Sequence, residues 1–319
     1  MTTDCQREAA LGQYSPCADR AAGSGAGTGA AQVRGMKQHS ALTAPNQFAE
    51  INGRRLAYRS IGEGLPIVLA IRFRGNMDAW DPAFLDALAA HGFRVITFDP
   101  SGLGLSTGER TYDPLSMAQD IPDLLDALDL RAAVIGGWSL GGLVAQVALA
   151  RYPERFTHAV LIGTNPPGPN VKGAEQLFYD TAGRPVNSLE DEIVLFFEPK
   201  SQASRQAAVR SAERIAQRRE GRSVPVPADW AAQVLGDKPK SPLFPALPVL
   251  EALKNTTIPI LHIGGDHDII FPVENWYALN EQLPTVQLLT YPRAGHGPQH
   301  EHPEASAQHI AAFVRSTSK

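Results

Sequence analysis

The stretch GGWSLGG at residues 136–142 constrains the fold more than any other part of the sequence. An apolar run at residues 132–135 precedes it and a helix-forming run follows, so the order is strand, sharp turn, helix. Residues 137–141 fit the G-x-S-x-G pattern, in which a serine occupies a strained turn between a buried strand and a helix. Side chains at Gly137 and Gly141 are expected to collide with neighbouring backbone at such a bend. Ser139 is the candidate nucleophile, and the amide of Leu140 is a candidate oxyanion donor.

Strand and helix patterns alternate on both sides of this turn. An Asn-Gly pair at residues 52–53 predicts a hairpin between strands at 48–51 and 54–61. Apolar runs predict buried strands at 66–71, 92–99, 132–135, 158–163, 258–264 and 286–291. Apolar residues at helical spacing predict helices at about 81–91, 114–130, 140–150, 273–283 and 303–316. This alternation predicts an α/β fold with a mostly parallel central sheet flanked by helices.

Two segments depart from the alternation. Residues 1–43 are rich in Ala, Gly and Ser, so we expect a disordered tail, and Met36 is an alternative start of translation. Residues 165–256 contain no buried-strand pattern, so we expect a helical cap inserted between the two parts of the core, residues 44–164 and 257–319. The aromatic residues of this segment are expected mostly to pack within it: Phe178, Tyr179, Phe196, Phe197 and Trp230.

Composition limits the classes of partner. A net charge of -4 gives no general attraction to nucleic acid. No apolar run approaches the roughly 20 residues that span a bilayer, and no secretory signal pattern opens the chain. We therefore expect a cytoplasmic protein that acts on a small molecule. Cys5 and Cys17 lie in the predicted tail, a homo-oligomer is compatible with the sequence, and no cofactor motif is found.

Two later loops contain candidates for a catalytic acid and base. Asp268 follows the predicted strand at 258–264, and His296 follows the predicted strand at 286–291. Because ligand sites in open α/β sheets lie at the carboxyl ends of strands, we expect both near Ser139. Asp266 and His267, in the same loop as Asp268, are alternatives for the two roles.

With these residues in place, the chain resembles the α/β-hydrolase superfamily from about residue 48 to the C-terminus. The order Ser139, Asp268, His296 is the order of the catalytic residues in that fold. The segment DPSGLGLS at 99–106 looks like the D-x-x-G-x-G-x-S segment of many members. The resemblance places the acid three positions after a glycine, which favours Asp268 over Asp266.

This resemblance implies a serine hydrolase with a Ser-Asp-His triad, a helical cap and no cofactor. The expected substrate is a small carboxylic ester or a lactone, which forms an acyl-enzyme on Ser139. The same triad is compatible with a carbon-carbon bond hydrolase or with a cofactor-free haloperoxidase or perhydrolase. A ligand receptor built on the hydrolase fold is an alternative of a different class.

One segment departs from the family pattern, in which His-Gly often follows the third strand. Here Arg72 stands in place of the glycine, and the second oxyanion donor is then the amide of Phe73. Arg72 is expected to form an ion pair with Asp78 or Asp81. Alternatively, Arg72 or Arg74 recognises an anionic group on the substrate, for which a guanidinium is well suited.

Three further residues near the motifs require an assignment. Trp138, which precedes the nucleophile, is a candidate substrate contact together with Arg72. His300 and His302 follow His296 closely, but no carboxylate or cysteine stands at metal-ligand spacing from them. We therefore predict structural roles for His300 and His302 and no metal site.

Overall fold

The computed structural model describes residues 39–235 and 246–318, and its centre is an eight-stranded sheet. Its strands are β1 (Gln47–Ile51), β2 (Arg54–Ile61), β3 (Leu65–Ala70), β4 (Phe93–Phe98), β5 (Ala133–Trp138), β6 (Phe156–Ile162), β7 (Ile260–Gly265) and β8 (Val286–Tyr291). Their order is β1-β2-β4-β3-β5-β6-β7-β8. The β1–β2 and β2–β4 pairs are antiparallel, and all other pairs are parallel. The predicted fold class is confirmed.

Helices cover the sheet and agree with most of the predicted positions. Those of the core are α1 (Pro82–Ala90), α2 (Pro114–Met117), α3 (Asp120–Ala127), α4 (Leu140–Arg151), α10 (Glu274–Tyr277), α11 (Pro298–Glu301) and α12 (Pro303–Thr317). The single helix predicted at 114–130 is wrong, because the chain forms α2 and α3 instead. Pro122 lacks the amide that would bond to the Ala118 carbonyl, and the helix is interrupted at that point. The helix predicted at 273–283 is also too long, since only α10 forms there.

The sheet order places one topological switch at β3. This strand lies between β4 and β5, so the chain builds one half of the sheet and then crosses to the other. The loop after β3, residues 71–75, and the turn after β5, which contains Ser139, are therefore neighbours at the carboxyl edge. Open α/β sheets bind ligands in this crevice. The loops after β7 and β8, which contain Asp268 and His296, leave the same edge.

The described part of the segment 165–256 contains five helices joined by irregular connections. Its helices are α5 (Gln176–Ala182), α6 (Leu189–Phe196), α7 (Gln202–Ala216), α8 (Ala228–Leu235) and α9 (Ala246–Asn255). Buried polar contacts tie this inserted segment to the core. The Ser223 amide donates to Asp78 at 2.7 Å, the Ser223 hydroxyl donates to Asp99 at 2.5 Å, and the Arg59 guanidinium donates to the Gly221 carbonyl at 2.9 Å.

Most of the predicted tail, including Met36, Cys5 and Cys17, lies outside the described residues. The part that is described is held against the core. The Ala41 amide donates to Asp86 at 2.7 Å, and the Arg218 guanidinium donates to the carbonyls of Ala41, Leu42 and Ala44. Across residues 39–235 and 246–318, no helix combines the length and the apolar character that crossing a membrane requires.

Candidate active site

Ser139 occupies the sharp turn between β5 and α4, with a strained backbone. Its φ is 59° and its ψ is -121°, a left-handed conformation that is uncommon for a residue with a side chain. A Cβ at Gly137 would lie 2.0 Å from the Gly141 carbonyl oxygen, and a Cβ at Gly141 would lie 2.1 Å from the Ala70 carbonyl oxygen. The predicted need for glycine at both positions is confirmed. This close packing fixes Ser139 at the carboxyl edge of the sheet.

Asp268 and His296 form a buried pair at the same edge. Oδ2 of Asp268 lies 2.7 Å from Nδ1 of His296, and Oδ1 accepts the amides of Ile270 and Phe271 at 2.8 and 2.9 Å. Burial opposes ionisation of Asp268, but the His296 ring and these amides outweigh it and lower the pKa of the carboxyl. An ionised Asp268 holds the proton on Nδ1 of His296, so that Nε2 is the atom free to accept one.

Ser139 and His296 line one cavity of about 180 Å³. Nε2 of His296 is buried and makes no hydrogen bond within the described part of the chain. The alternatives Asp266 and His267 do not line this cavity. Asp266 lies at the surface, where it accepts the Arg293 amide at 2.6 Å and contacts the His267 ring at 2.6 Å. The structure therefore brings Asp268, and not Asp266, to His296.

Two backbone amides beside the cavity have no acceptor among residues 39–235 and 246–318. They belong to Phe73, in the loop after β3, and to Leu140, the first residue of α4. Both residues line the cavity together with Ser139. An unpaired amide at a helix N-terminus carries partial positive charge and can stabilise an oxyanion. The two predicted oxyanion donors therefore lie on the cavity wall.

Side-chain contacts hold the loop that contains Phe73. The Gly75 amide donates to the Arg72 carbonyl at 3.0 Å, and the Arg72 guanidinium donates to the Phe73 carbonyl at 2.9 Å. Arg74 has a positive φ of 56°, and its amide donates to the Tyr112 hydroxyl at 2.9 Å. The Tyr112 ring also packs on Phe73, with ring centres 4.7 Å apart. Sequence reasoning did not identify Tyr112, because it lies far from this loop along the chain and belongs to no motif.

The predicted ion pair of Arg72 is wrong. Asp78 pairs with Arg59 at 2.6 Å, and Asp81 pairs with Arg214 at 2.5 Å, so both carboxylates already bind another arginine. These partners come from β2 and from α7, which the loop sequence could not reveal.

The guanidinium of Arg72 instead lies over aromatic rings. Its central carbon is 4.4 Å from the ring centre of Phe196 and 5.3 Å from that of Trp138. Burial lowers the pKa of Arg72, and the attraction of Glu192, which lies beyond ion-pair distance, opposes this only in part. An arginine stays protonated even so, and Arg72 therefore places a positive charge on the cavity wall.

Trp138 does not line the cavity above Ser139 and instead supports its surroundings. The indole is buried, donates to the His296 carbonyl at 2.8 Å, and lies 4.6 Å from the His300 ring. His300 accepts the Asp81 amide at 3.3 Å and contacts the Ser211 hydroxyl at 3.2 Å. Trp138 thus links the turn of Ser139 to the loop of His296.

The two histidines after His296 have separate packing roles. His300 packs against Trp138 with the two rings tilted by 45°, whereas His302 stacks on Tyr291 with ring centres 4.5 Å apart. Within the ranges that the structure describes, no three His, Cys, Asp or Glu side chains are grouped so as to hold a metal ion.

The inserted segment supplies much of the cavity wall. Phe178, Tyr179 and Phe196 line the cavity, so each has a cavity-facing surface in addition to the packing within the segment that the sequence predicts. Phe197 and Trp230 do not line it. Asn187 is a further polar lining residue that the sequence analysis did not single out.

The end of α6 also binds the loop that contains His296. The Gly297 amide donates to the Phe196 carbonyl at 2.7 Å. A Cβ at Gly295 would lie 2.6 Å from the Phe197 carbonyl carbon and oxygen. The backbones on either side of His296 are therefore in direct contact with the inserted segment.

Comparisons with known proteins agree with this architecture. A non-heme chloroperoxidase of Streptomyces lividans is 29% identical over 277 residues, covering 83% of this chain and 98% of that protein. A solved alpha/beta hydrolase fold protein from Chitinophaga pinensis has a TM-score of 0.74 and 28% identity, covering 87% of this chain and all of that one. A solved esterase from Rhodococcus has a TM-score of 0.66 and 25% identity, covering 86% of this chain and 99% of that one. The family model described as alpha/beta hydrolase fold matches residues 68–303, and since this is well over half of the sequence, the chain belongs to the alpha/beta hydrolase family.

Proposed function

We propose that this protein is a serine hydrolase that cleaves a small carboxylic ester or a lactone. The observation that carries the proposal is the buried Asp268–His296 pair: His296 lines the same cavity as Ser139, and its Nε2 has no hydrogen-bond partner among residues 39–235 and 246–318. A pair of this kind activates a serine by accepting its proton. The lining is mainly apolar, which suits a small hydrocarbon acyl group.

The reaction begins when Ser139 Oγ attacks the carbonyl carbon of the ester. His296 accepts the hydroxyl proton, and Asp268 stabilises the imidazolium that forms. The negative charge on the carbonyl oxygen is stabilised by the amides of Phe73 and Leu140. Removing one such donor typically costs about 3 kcal/mol of transition-state stabilisation.

Collapse of this intermediate breaks the bond to the alcohol oxygen, and His296 returns the proton to the departing alkoxide. A water then attacks the acyl group on Ser139, with His296 again accepting the proton. The carboxylic acid leaves and Ser139 regains its hydroxyl. For a lactone, the alcohol and the acid are parts of one product.

Labelling with a fluorophosphonate and turnover of 4-nitrophenyl butyrate test this proposal together. We expect the label on Ser139, located by peptide mass spectrometry, and a loss of turnover of at least about 10⁴-fold in Ser139→Ala. Unchanged thermal unfolding of the variant would show that the fold is retained. Labelling elsewhere, or substantial turnover by a folded Ser139→Ala protein, would contradict the assignment. Labelling of Ser139 without turnover of any ester or lactone would favour the receptor alternative.

A second candidate function is peracid formation, which the similarity to a protein named as a non-heme chloroperoxidase favours. Hydrogen peroxide would attack the acyl group on Ser139 in place of water, giving a peracid and the free serine. The test is peracid yield from acetate and hydrogen peroxide, compared with ester hydrolysis under the same conditions. Peracid formation faster than hydrolysis, absent from Ser139→Ala, would make this the main activity. Cleavage of a carbon-carbon bond by the same residues is a further alternative. It is tested with a substrate that has such a bond in place of the ester bond.

A further inference from the structure

Two arginines line the cavity above Ser139, and they differ in what their side chains already bind. The Arg74 guanidinium donates to the carbonyls of Ala182, Arg184 and Pro185 in the inserted segment, at 2.8–2.9 Å. The Arg72 guanidinium donates to one carbonyl, that of Phe73, and its Nε is buried with no partner in the described ranges. Arg74 is committed to holding the inserted segment, whereas Arg72 has donor capacity left.

Arg72 also lacks a carboxylate partner within the described residues. Asp78 and Asp81, which are near it along the chain, bind other arginines, and Glu192 attracts it only from beyond ion-pair distance. Arg72 is half-buried as a residue, but its Nε is fully enclosed. A cation in such a position is normally paired, because losing its hydration is costly. The faces of Phe196 and Trp138 compensate only part of that loss. The site is therefore better balanced when an anion lies beside Arg72.

The position of Arg72 suits an anion at one end of an otherwise apolar ligand. Arg72 and Phe196 line the cavity above Ser139 and also a neighbouring cleft of about 590 Å³. The cleft is more polar than the cavity above Ser139, so it accommodates a hydrated group more readily. Its charged lining residues are Arg72, Arg74 and Arg222, which attract a carboxylate, and Asp78 and Glu192, which repel it. A ligand can thus place apolar carbons above Ser139 and a charged end at Arg72.

We propose that Arg72 binds a carboxylate of the substrate, so that the substrate class is an ester carrying one free carboxylate, such as a half-ester of a dicarboxylic acid. A guanidinium binds a carboxylate through two parallel hydrogen bonds and with directional specificity. This inference rests on the proposed function, because the ester end of the same molecule acylates Ser139. It makes Arg72 a specificity-determining residue for that reaction.

A competing role for Arg72 is to hold the Phe73 carbonyl and so to position the oxyanion loop. Loss of that role would slow the hydrolysis of every ester to the same extent. Loss of carboxylate binding would slow only the hydrolysis of esters that carry the carboxylate. A pair of substrates matched in length therefore separates the two roles.

The experiment compares mono-4-nitrophenyl glutarate with 4-nitrophenyl pentanoate in four proteins: wild type, Arg72→Met, Arg72→Lys and the control Arg110→Met. Arg110 is exposed, lies over the Trp230 ring at 5.2 Å and does not line the cavity, so its loss controls for net charge. We expect the ratio of kcat/KM for glutarate over pentanoate to fall about 10- to 100-fold in Arg72→Met. Arg72→Lys should keep part of this preference, and Arg110→Met should keep all of it.

An unchanged ratio in Arg72→Met, with both esters slowed equally, would overturn the inference and leave the proposed function intact. A binding measurement covers the opposite case. In Ser139→Ala protein, calorimetric binding of monomethyl glutarate should weaken at least 10-fold when Arg72→Met is added, whereas binding of methyl pentanoate should not change. If the wild type hydrolyses neither ester, this measurement decides the carboxylate site alone, and a Kd that does not depend on Arg72 refutes it.

Discussion

The two walls of the catalytic cavity are built in different ways. The wall that contains Ser139 is positioned by backbone meeting backbone, with glycine at 137 and 141 because any Cβ there would overlap a carbonyl. The opposite wall is residues 71–75 and the inserted helices. Apart from the backbone contact between α6 and the loop of His296, it is positioned by side chains that are distant in sequence, among them Tyr112. The first arrangement tolerates no change of shape, whereas the second can be altered one contact at a time.

This difference predicts which substitutions in this protein alter its specificity and which alter its folding. The wall that contains Ser139, called here the nucleophile wall, is defined by local sequence. Its two glycines allow only one backbone arrangement. The opposite wall can exchange a glycine for Arg72 and keep the Phe73 amide in place, since a backbone donor does not depend on its own side chain. We therefore expect substitutions on the two walls to differ in kind as well as in size.

The largest expected effect is at the nucleophile wall, in Gly137→Ala. The new methyl group would overlap the Gly141 carbonyl, and we expect a loss of about 4 kcal/mol in the free energy of unfolding. Gly173→Ala is the matched control, because Gly173 is exposed and a Cβ there meets nothing within 4 Å. It should change stability by less than about 0.5 kcal/mol. Urea unfolding measures both, and wild-type stability of Gly137→Ala would refute the backbone argument.

The next effect concerns His300, which joins the nucleophile wall to the inserted helix α7. Burial lowers the pKa of His300 to about 4, with the positive charges of Arg72 and Arg214 acting in the same direction and the carboxylate of Asp81 opposing them. The unfolded chain binds this proton near pH 6.5, so native stability falls as the pH drops from 6.5 to 4. The loss from this group is on the order of 3 kcal/mol.

The variant His300→Gln removes that titration and keeps an amide that can accept the Asp81 N–H. We expect the unfolding free energy of the variant to depend less steeply on pH than that of the wild type between pH 6.5 and 4. His262, with a pKa lowered to about 3 by burial, and Glu301, with a pKa raised to about 7 by burial, titrate in both proteins. Their contributions cancel in the difference. Parallel pH profiles of the two proteins would show that His300 is not held neutral.

The smallest effect is expected at the opposite wall, in Tyr112→Phe. The ring contact with Phe73 remains, but the Arg74 amide loses its acceptor, at a cost of about 1 kcal/mol in stability. Burial raises the pKa of Tyr112 to about 12, so the hydroxyl stays protonated over the range of an esterase assay. We expect kcat to fall by up to about 10-fold, with KM changed less, because the Phe73 amide is held less firmly.

Tyr277→Phe is the control for this variant. The Tyr277 hydroxyl also makes one hydrogen bond, to Thr290 at 2.7 Å, but it is exposed and does not line the cavity. We expect wild-type kcat from it. Equal kcat for Tyr112→Phe and wild type would mean that the loop keeps its shape without the tyrosine hydroxyl.

Sequence reasoning reached the fold and the residues grouped around Ser139 because both depend on local patterns. The buried strands are continuous apolar runs, the hairpin has its Asn-Gly pair, and Gly137 and Gly141 mark the strained turn. Asp268 and His296 could be singled out because each follows a strand at the carboxyl edge of a parallel sheet. The break between α2 and α3 was missed, although Pro122 provides its physical reason.

The opposite wall could not be predicted, because its contacts join residues that are far apart in the chain. The partners of Asp78 and Asp81 are Arg59 and Arg214, which no spacing relates to the loop after β3. The same applies to Phe196, which stands out in the sequence only as one aromatic residue in a helix. Its place above Arg72 depends on how α6 crosses the sheet edge.

The hydrogen bond from Gly297 to the Phe196 carbonyl has a consequence for how ligands enter. An inserted segment that swung away as a rigid lid would pull on the backbone next to His296 and would misalign the base with each opening. We therefore expect ligands to enter and leave through rotation of the lining side chains, while the main chain beside His296 stays in place. On this expectation, the Asp268–His296 pair keeps its geometry while product leaves and substrate enters.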